Sequence, residues 1–126
     1  MRNIKAFTLI ELMVVILIVG ILAAASIPLM RGRIDSAKWS EANATAGTIR
    51  SAARVYEAEH GDLTGVDIDD LGFQTGELEG TYFNHGDYGI NIVNGRVEVV
   101  ITGSKTNSPP GTATLDSDGN WSVSGN

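Results

Sequence analysis

The chain has 126 residues, 43% hydrophobic and 19% charged, with a formal net charge of −6 and no cysteine. The apolar residues are unevenly placed. They fill 18 of the 23 positions from Phe7 to Leu29 but only 32 of the 96 positions from Arg31 onward. A remainder of that size supports one modest core, so a multi-domain enzyme is not expected. Without cysteine there is no disulfide, thiolate metal site or thiol nucleophile. Residues 1–30 carry Arg2 and Lys5 against Glu11, whereas residues 31–126 carry seven basic and fourteen acidic side chains. An acidic domain of this kind has no long-range attraction for nucleic acid.

The apolar run from Phe7 to Leu29, at about 1.5 Å per residue, reaches roughly 34 Å as a helix, enough to cross a hydrocarbon core. Arg2 and Lys5 precede it, which places the N-terminus on the cytoplasmic side and the acidic domain outside. Ala23-Ala24-Ala25-Ser26 has the small-residue character of a secretory cleavage site. Glu11 interrupts the run. An ionised carboxylate at mid-membrane depth costs at least about 2.5 kcal/mol, so Glu11 either stays near the hydrated interface or has a partner. Gly20 and Pro28 weaken the helix locally, through glycine's low helix preference and proline's missing N–H.

The segment Lys5-Ala6-Phe7-Thr8-Leu9-Ile10-Glu11, with its short basic leader and retained apolar helix bearing Gly20 and Pro28, resembles the N-terminus of type IV pilins and the related pseudopilins of type II secretion. The resemblance covers residues 1 to about 60. It implies that residues 1–6 are a leader removed between Ala6 and Phe7 by a membrane prepilin peptidase, which methylates the new Phe7 amine. The family usually has glycine before the cut, where this chain has Ala6. The resemblance also implies that Glu11 neutralises the Phe7 amine of a neighbouring subunit, a pairing that lets both charges enter a low-dielectric filament core. It implies that the stretch from Gly20 to Pro28 partly unwinds as subunits leave the bilayer and stack. Many pilins staple their C-terminal region with a disulfide, which this chain cannot form.

The expected fold is α+β: a long N-terminal helix, with a transmembrane half (7–30) and an amphipathic half (31–60), packed on a small antiparallel sheet of about four strands. Trp39, Ala42, Ala46, Ile49, Ala53 and Tyr56 recur at spacings of three and four, a single helical stripe with Arg50, Arg54 and Glu57 off it. Gly61 marks the helix end. Residues 61–126 hold 12 of the 15 glycines and form the expected head. Leu63, Val66, Ile68, Leu71 and Phe73 anchor a connector loop, and Asp67, Asp69 and Asp70 read as a solvated acidic turn. Tyr88, Ile90 and Ile92 alternate, Asn94-Gly95 is a type I′ turn signal, and Val97, Val99 and Ile101 alternate again. A second hairpin is expected across Asp116-Ser117-Asp118-Gly119-Asn120, held by Trp121 and Leu115.

Asp116, Asp118 and Asn120 place oxygen donors at alternating positions, as calcium loops do, but the glycine and distal glutamate of an EF-hand are missing. A plain turn is therefore favoured, with calcium bound by these three residues as the alternative, and no other cofactor is expected. His60 and His85 lack partners at metal-ligand spacing. Asn43-Ala44-Thr45 and Asn120-Trp121-Ser122 match the short glycosylation triplet. No catalytic constellation stands out, so the expected role is structural: a subunit of a pilus-like surface filament that polymerises through its N-terminal helix. The alternatives are a major pseudopilin confined to the periplasm and a membrane-anchored binding module. The filament reading implies copies of the chain itself, the prepilin peptidase, an inner-membrane assembly platform and an assembly ATPase as partners. It also implies a single-pass inner-membrane precursor that becomes an extracellular filament.

Overall fold

The computed structural model describes residues 5–125, so Arg2 of the expected leader lies outside the described residues. Helix α1 (Leu9–His60) is followed by strands β1 (Tyr88–Val93), β2 (Arg96–Thr102), β3 (Thr112–Leu115) and β4 (Trp121–Ser124). The chain divides into two units at Ile34 and Asp35.

In the first unit, α1 is apolar on every side. Its large apolar residues and the preceding Phe7 are exposed throughout, from 46% at Ile34 to 82% at Phe7, so nothing among the described residues covers them. The helix contains a stretch long and apolar enough to cross a membrane. It is α-helical through both Gly20 and Pro28. Two residues before the proline, the Ser26 hydroxyl donates to the Leu22 carbonyl at 2.8 Å.

In the second unit, the rest of α1 buries the expected stripe of Trp39, Ala42, Ala46, Ile49 and Ala53, with Tyr56 partly buried beside it. The three alanines let the sheet approach closely, while Trp39 and Ile49 supply most of the stripe's apolar area. The helix stops at Gly61, whose φ of 80° is left-handed and whose N–H donates to the Glu57 carbonyl at 2.7 Å. Glycine takes that conformation without the Cβ clash other residues suffer.

The four strands form an antiparallel meander in the order β1-β2-β3-β4. Val93 pairs with Arg96 across Asn94 and Gly95, whose φ values of 52° and 74° are those of a type I′ turn. The register aligns Tyr88 with Ile101, Ile90 with Val99, Val99 with Leu115, and Ile101 with Ala113. Residues paired this way share a face, and period-2 alternation keeps Val97, Val99 and Ile101 buried together.

The connector contributes more core than its sequence pattern indicated. Leu63 and Ile68 are buried, and Val66, Leu71 and Phe73 pack partly against the core. Leu78 and Phe83, absent from the expected list, are also buried, and Phe83 is the largest fully buried side chain. Its ring lies 5.2 Å from that of Trp39 and 6.2 Å from that of Tyr88. The final hairpin is held less symmetrically than expected. Leu115 is buried, but Trp121 is only partly so and makes an edge contact with Trp39 at 6.4 Å. The reason is position: β4 is an edge strand, and beyond Trp121 its side chains are exposed.

Polar pins hold the connector in place without a disulfide. The Glu41 carboxylate, projecting from α1, accepts the N–H groups of Thr81 at 3.1 Å and Tyr82 at 2.9 Å. From the loop after β2, Lys105 donates to the Gly80 carbonyl, Asn107 to that of Thr81 and Ser108 to that of Tyr82. The buried Asp87 carboxylate joins the same region by accepting from the N–H groups of Asn84 and Ser104. Gly80 leaves room for the Glu41 carboxylate, with which an added Cβ would collide.

Two predictions follow from this packing. Truncating Phe83→Ala should cost about 3–5 kcal/mol of unfolding free energy, the range for a buried aromatic, and Trp121→Ala clearly less; denaturant unfolding of the full chain in detergent micelles measures both. Glu41→Ala removes two charge-assisted hydrogen bonds and should cost about 1.5–3 kcal/mol. Gly80→Ala should destabilise in the same direction by displacing that carboxylate, and combining the two substitutions should cost less than their sum.

Candidate functional site

The N-terminal segment is built for access. Lys5, Ala6, Phe7 and Thr8 precede the helix and are exposed, and the Ala6–Phe7 bond lies in irregular chain rather than inside a hydrogen-bonded turn. Helix α1 begins one residue after Thr8, and Leu12 N–H makes the first helical bond, to the Thr8 carbonyl, at 3.3 Å.

Thr8 and Glu11 cap this start reciprocally. Glu11 N–H donates to Thr8 Oγ1 at 3.2 Å, while Thr8 N–H donates to Glu11 Oε2 at 2.9 Å and the Thr8 hydroxyl donates to the same oxygen at 3.1 Å. This is a capping box, which satisfies N–H groups that a helix start otherwise leaves without acceptors. Glu11 is thus a helix cap as well as a charge. The missed signal was the spacing of Thr8 and Glu11, a threonine followed three residues later by a glutamate. Only Oε2 is engaged by Thr8, so Oε1 keeps its capacity to accept a further donor. A glutamate also suits the N-terminal turn because it opposes the positive end of the helix dipole.

The other sequence-derived candidates lie apart from this segment. Gly20 and Pro28 sit within α1, as described above. Asp116, Asp118 and Asn120 form the β3–β4 turn, where Asp116 Oδ1 accepts from the N–H groups of Asp118 at 3.0 Å and Asn120 at 2.8 Å. Asp116 Oδ2 accepts from the Asn120 side-chain amide at 3.0 Å. These bonds, the Asn120 side chain foremost, hold the Asp116 carboxyl below its ordinary pKa. Asp118 points instead to Arg96, with Oδ1 3.3 Å from Nη1. The local oxygens are thus engaged as an Asx-type turn. Among the described residues no group of three or more His, Cys, Asp or Glu is placed to hold a metal ion. His85 Nε2 lies 3.0 Å from Asp69 Oδ1, tying two connector turns together, and His60 stacks on Tyr56 at 4.0 Å.

Comparison with known proteins converges on the same segment. Residues 1–27 match the family model described as the prokaryotic N-terminal methylation motif. Over 104 residues the chain is 36% identical to a fimbrial protein of Neisseria meningitidis serogroup B, covering 82% of this chain and 59% of that protein. It is 35% identical over 107 residues to the type IV major pilin protein PilE of Neisseria gonorrhoeae, with the same two coverages. A shorter match, 48% identical over 48 residues, joins 38% of this chain to 41% of the type IV narrow pilus major component PilA5 of Thermus thermophilus. The chain therefore spans under two thirds of the length of these relatives. The methylation motif at its start, a long helix over a four-stranded antiparallel sheet, and relatives that are a fimbrial protein and a type IV major pilin together support a place for the chain in the type IV pilin family.

Proposed function

We propose that the chain is a structural subunit of a type IV pilus-like surface filament, polymerised through its N-terminal helix, with a mechanical rather than an enzymatic role. The observation that carries this reading is the apolar half of α1, exposed on every side from Leu9 to Ile34. Such a surface needs a bilayer or other apolar helices around it, and copies of the same helix meet that need. The major-pilin relatives support the choice of filament over pseudopilus.

In this reading the precursor sits in the inner membrane with its N-terminus in the cytoplasm, and prepilin peptidase cuts between Ala6 and Phe7 and methylates the Phe7 amine. An assembly platform and its ATPase then extract the subunit into the extracellular filament. The incoming Phe7 amine lies near the oxygen of a neighbouring Glu11 that Thr8 does not engage, so each buried charge gains a partner. Gly20 and Pro28 provide the stretch that unwinds during the transfer.

The capping box offers a way to separate two roles of Glu11. Glutamine preserves the cap but not the charge. Both Glu11→Gln and Glu11→Ala should yield processed subunits that fail to form filaments in electron micrographs. Filaments from Glu11→Gln but not from Glu11→Ala would mean that the cap, not the charge, drives assembly. Ala6→Ile should leave unprocessed precursor in the membrane. In the parent, mass spectrometry should find a mature chain starting at methylated Phe7, and an intact Met1 without a methyl group would contradict the filament reading.

A further inference from the structure

Away from the N-terminal segment, three of the seven basic residues of the acidic part of the chain meet at one cavity of about 370 Å³. Arg50 and Arg54 reach it from α1, one helical turn apart, and Arg96 reaches it from the start of β2. Ala53, Leu63 and Val97 form its apolar floor and are all buried. Glu57 and Asp118 also line it.

One of the arginines is held in position by the β3–β4 turn. Arg50 Nη2 donates to the Ser117 carbonyl at 3.0 Å. Gly119, at a φ of 97°, leaves space for the same guanidinium, since a Cβ there would lie 2.6 Å from Arg50 Nη1. Arg96 is paired with Asp118 at 3.3 Å, but both side chains are largely exposed, at 67% and 72%. Solvent weakens such a pair, so its donors are readily redirected. The Arg54 guanidinium makes no hydrogen bond or ion pair to another described residue.

Like charges one turn apart on a helix repel, and a third guanidinium opposite them adds to the repulsion. Guanidinium groups also present N–H donors in a planar fork that matches oxyanion geometry, and the apolar floor strengthens such contacts by limiting hydration on one side. We propose that this cleft binds a small oxyanion, a phosphate or carboxylate group, through Arg50, Arg54 and Arg96. Glu57 opposes the ligand by charge and sets its affinity. The site does not depend on polymerisation.

The test is calorimetric titration of the full chain in detergent micelles with inorganic phosphate and, separately, with citrate, each against sodium chloride at equal ionic strength. Saturable binding of either anion is expected, and which one binds identifies the ligand group as phosphate or carboxylate. Arg54→Gln should weaken it at least tenfold and Glu57→Gln should tighten it severalfold, with melting curves confirming that both variants fold. Absence of saturable binding for both anions would overturn the proposal. So would equal affinity in the parent and Arg54→Gln, or weaker binding in Glu57→Gln.

Discussion

The constraint on which everything else depends is that the first half of α1 has no polar side. An amphipathic helix satisfies water along one face and a core along another, but from Leu9 to Ile34 no face of this helix is fit for water apart from isolated polar residues. The remainder of α1 has the opposite character, with a narrow stripe turned to the sheet and charged residues elsewhere. A single helix therefore joins two different solvation problems, and the sequence changes pattern where one gives way to the other. Glu11 belongs to the first problem. Its cap with Thr8 meets a backbone need that any helix start has, while its charge requires something further once the surroundings become apolar.

The head solves a different difficulty, that of fixing a long connector without a covalent link. Residues 79–87 have no regular pairing of their own with the sheet, yet they deliver Phe83 into the centre of the core. They are fixed from both sides, by Glu41 on the helix and by Lys105, Asn107 and Ser108 on the loop after β2. Most of these bonds run from side chain to backbone, so they specify the path of the chain more than the identity of the residues along it. The arrangement leaves the connector sequence room to vary around a few fixed points: Gly80, Phe83 and Asp87.

The sequence was most informative where a period or a turn signal repeated. The stripe from Trp39 to Ala53, the stop at Gly61 and the hairpin around Asn94-Gly95 all followed from local rules of spacing and backbone geometry. Phe83 carries no local signal, because the stretch from Gly80 to Gly86 around it has no period; its burial is decided by partners distant in sequence. The same holds for Glu41, which looks like any solvent-facing helix residue until the connector returns to it. Thr8 was legible in principle, through its spacing from Glu11, but the apolar run around it drew attention to the membrane rather than to the helix start. The Arg50, Arg54 and Arg96 cluster could not be read from sequence at all, since hairpin register brings Arg96 to the helix.

The meander topology also governs the order in which the head can form. Every strand pairs with the one before it, so each hairpin can close as soon as its second strand is available, with short loops and little entropy to overcome. The helix stripe, by contrast, is synthesised first and completed last. The connector offers Trp39 its contact with Phe83 before β1 exists, but Trp39 gains its contact with Trp121 only when β4 is laid down. During that interval the apolar stripe is incompletely covered, a condition that favours misassociation. Three of its buried positions, Ala42, Ala46 and Ala53, are small, which limits the apolar area a waiting helix presents before its sheet arrives.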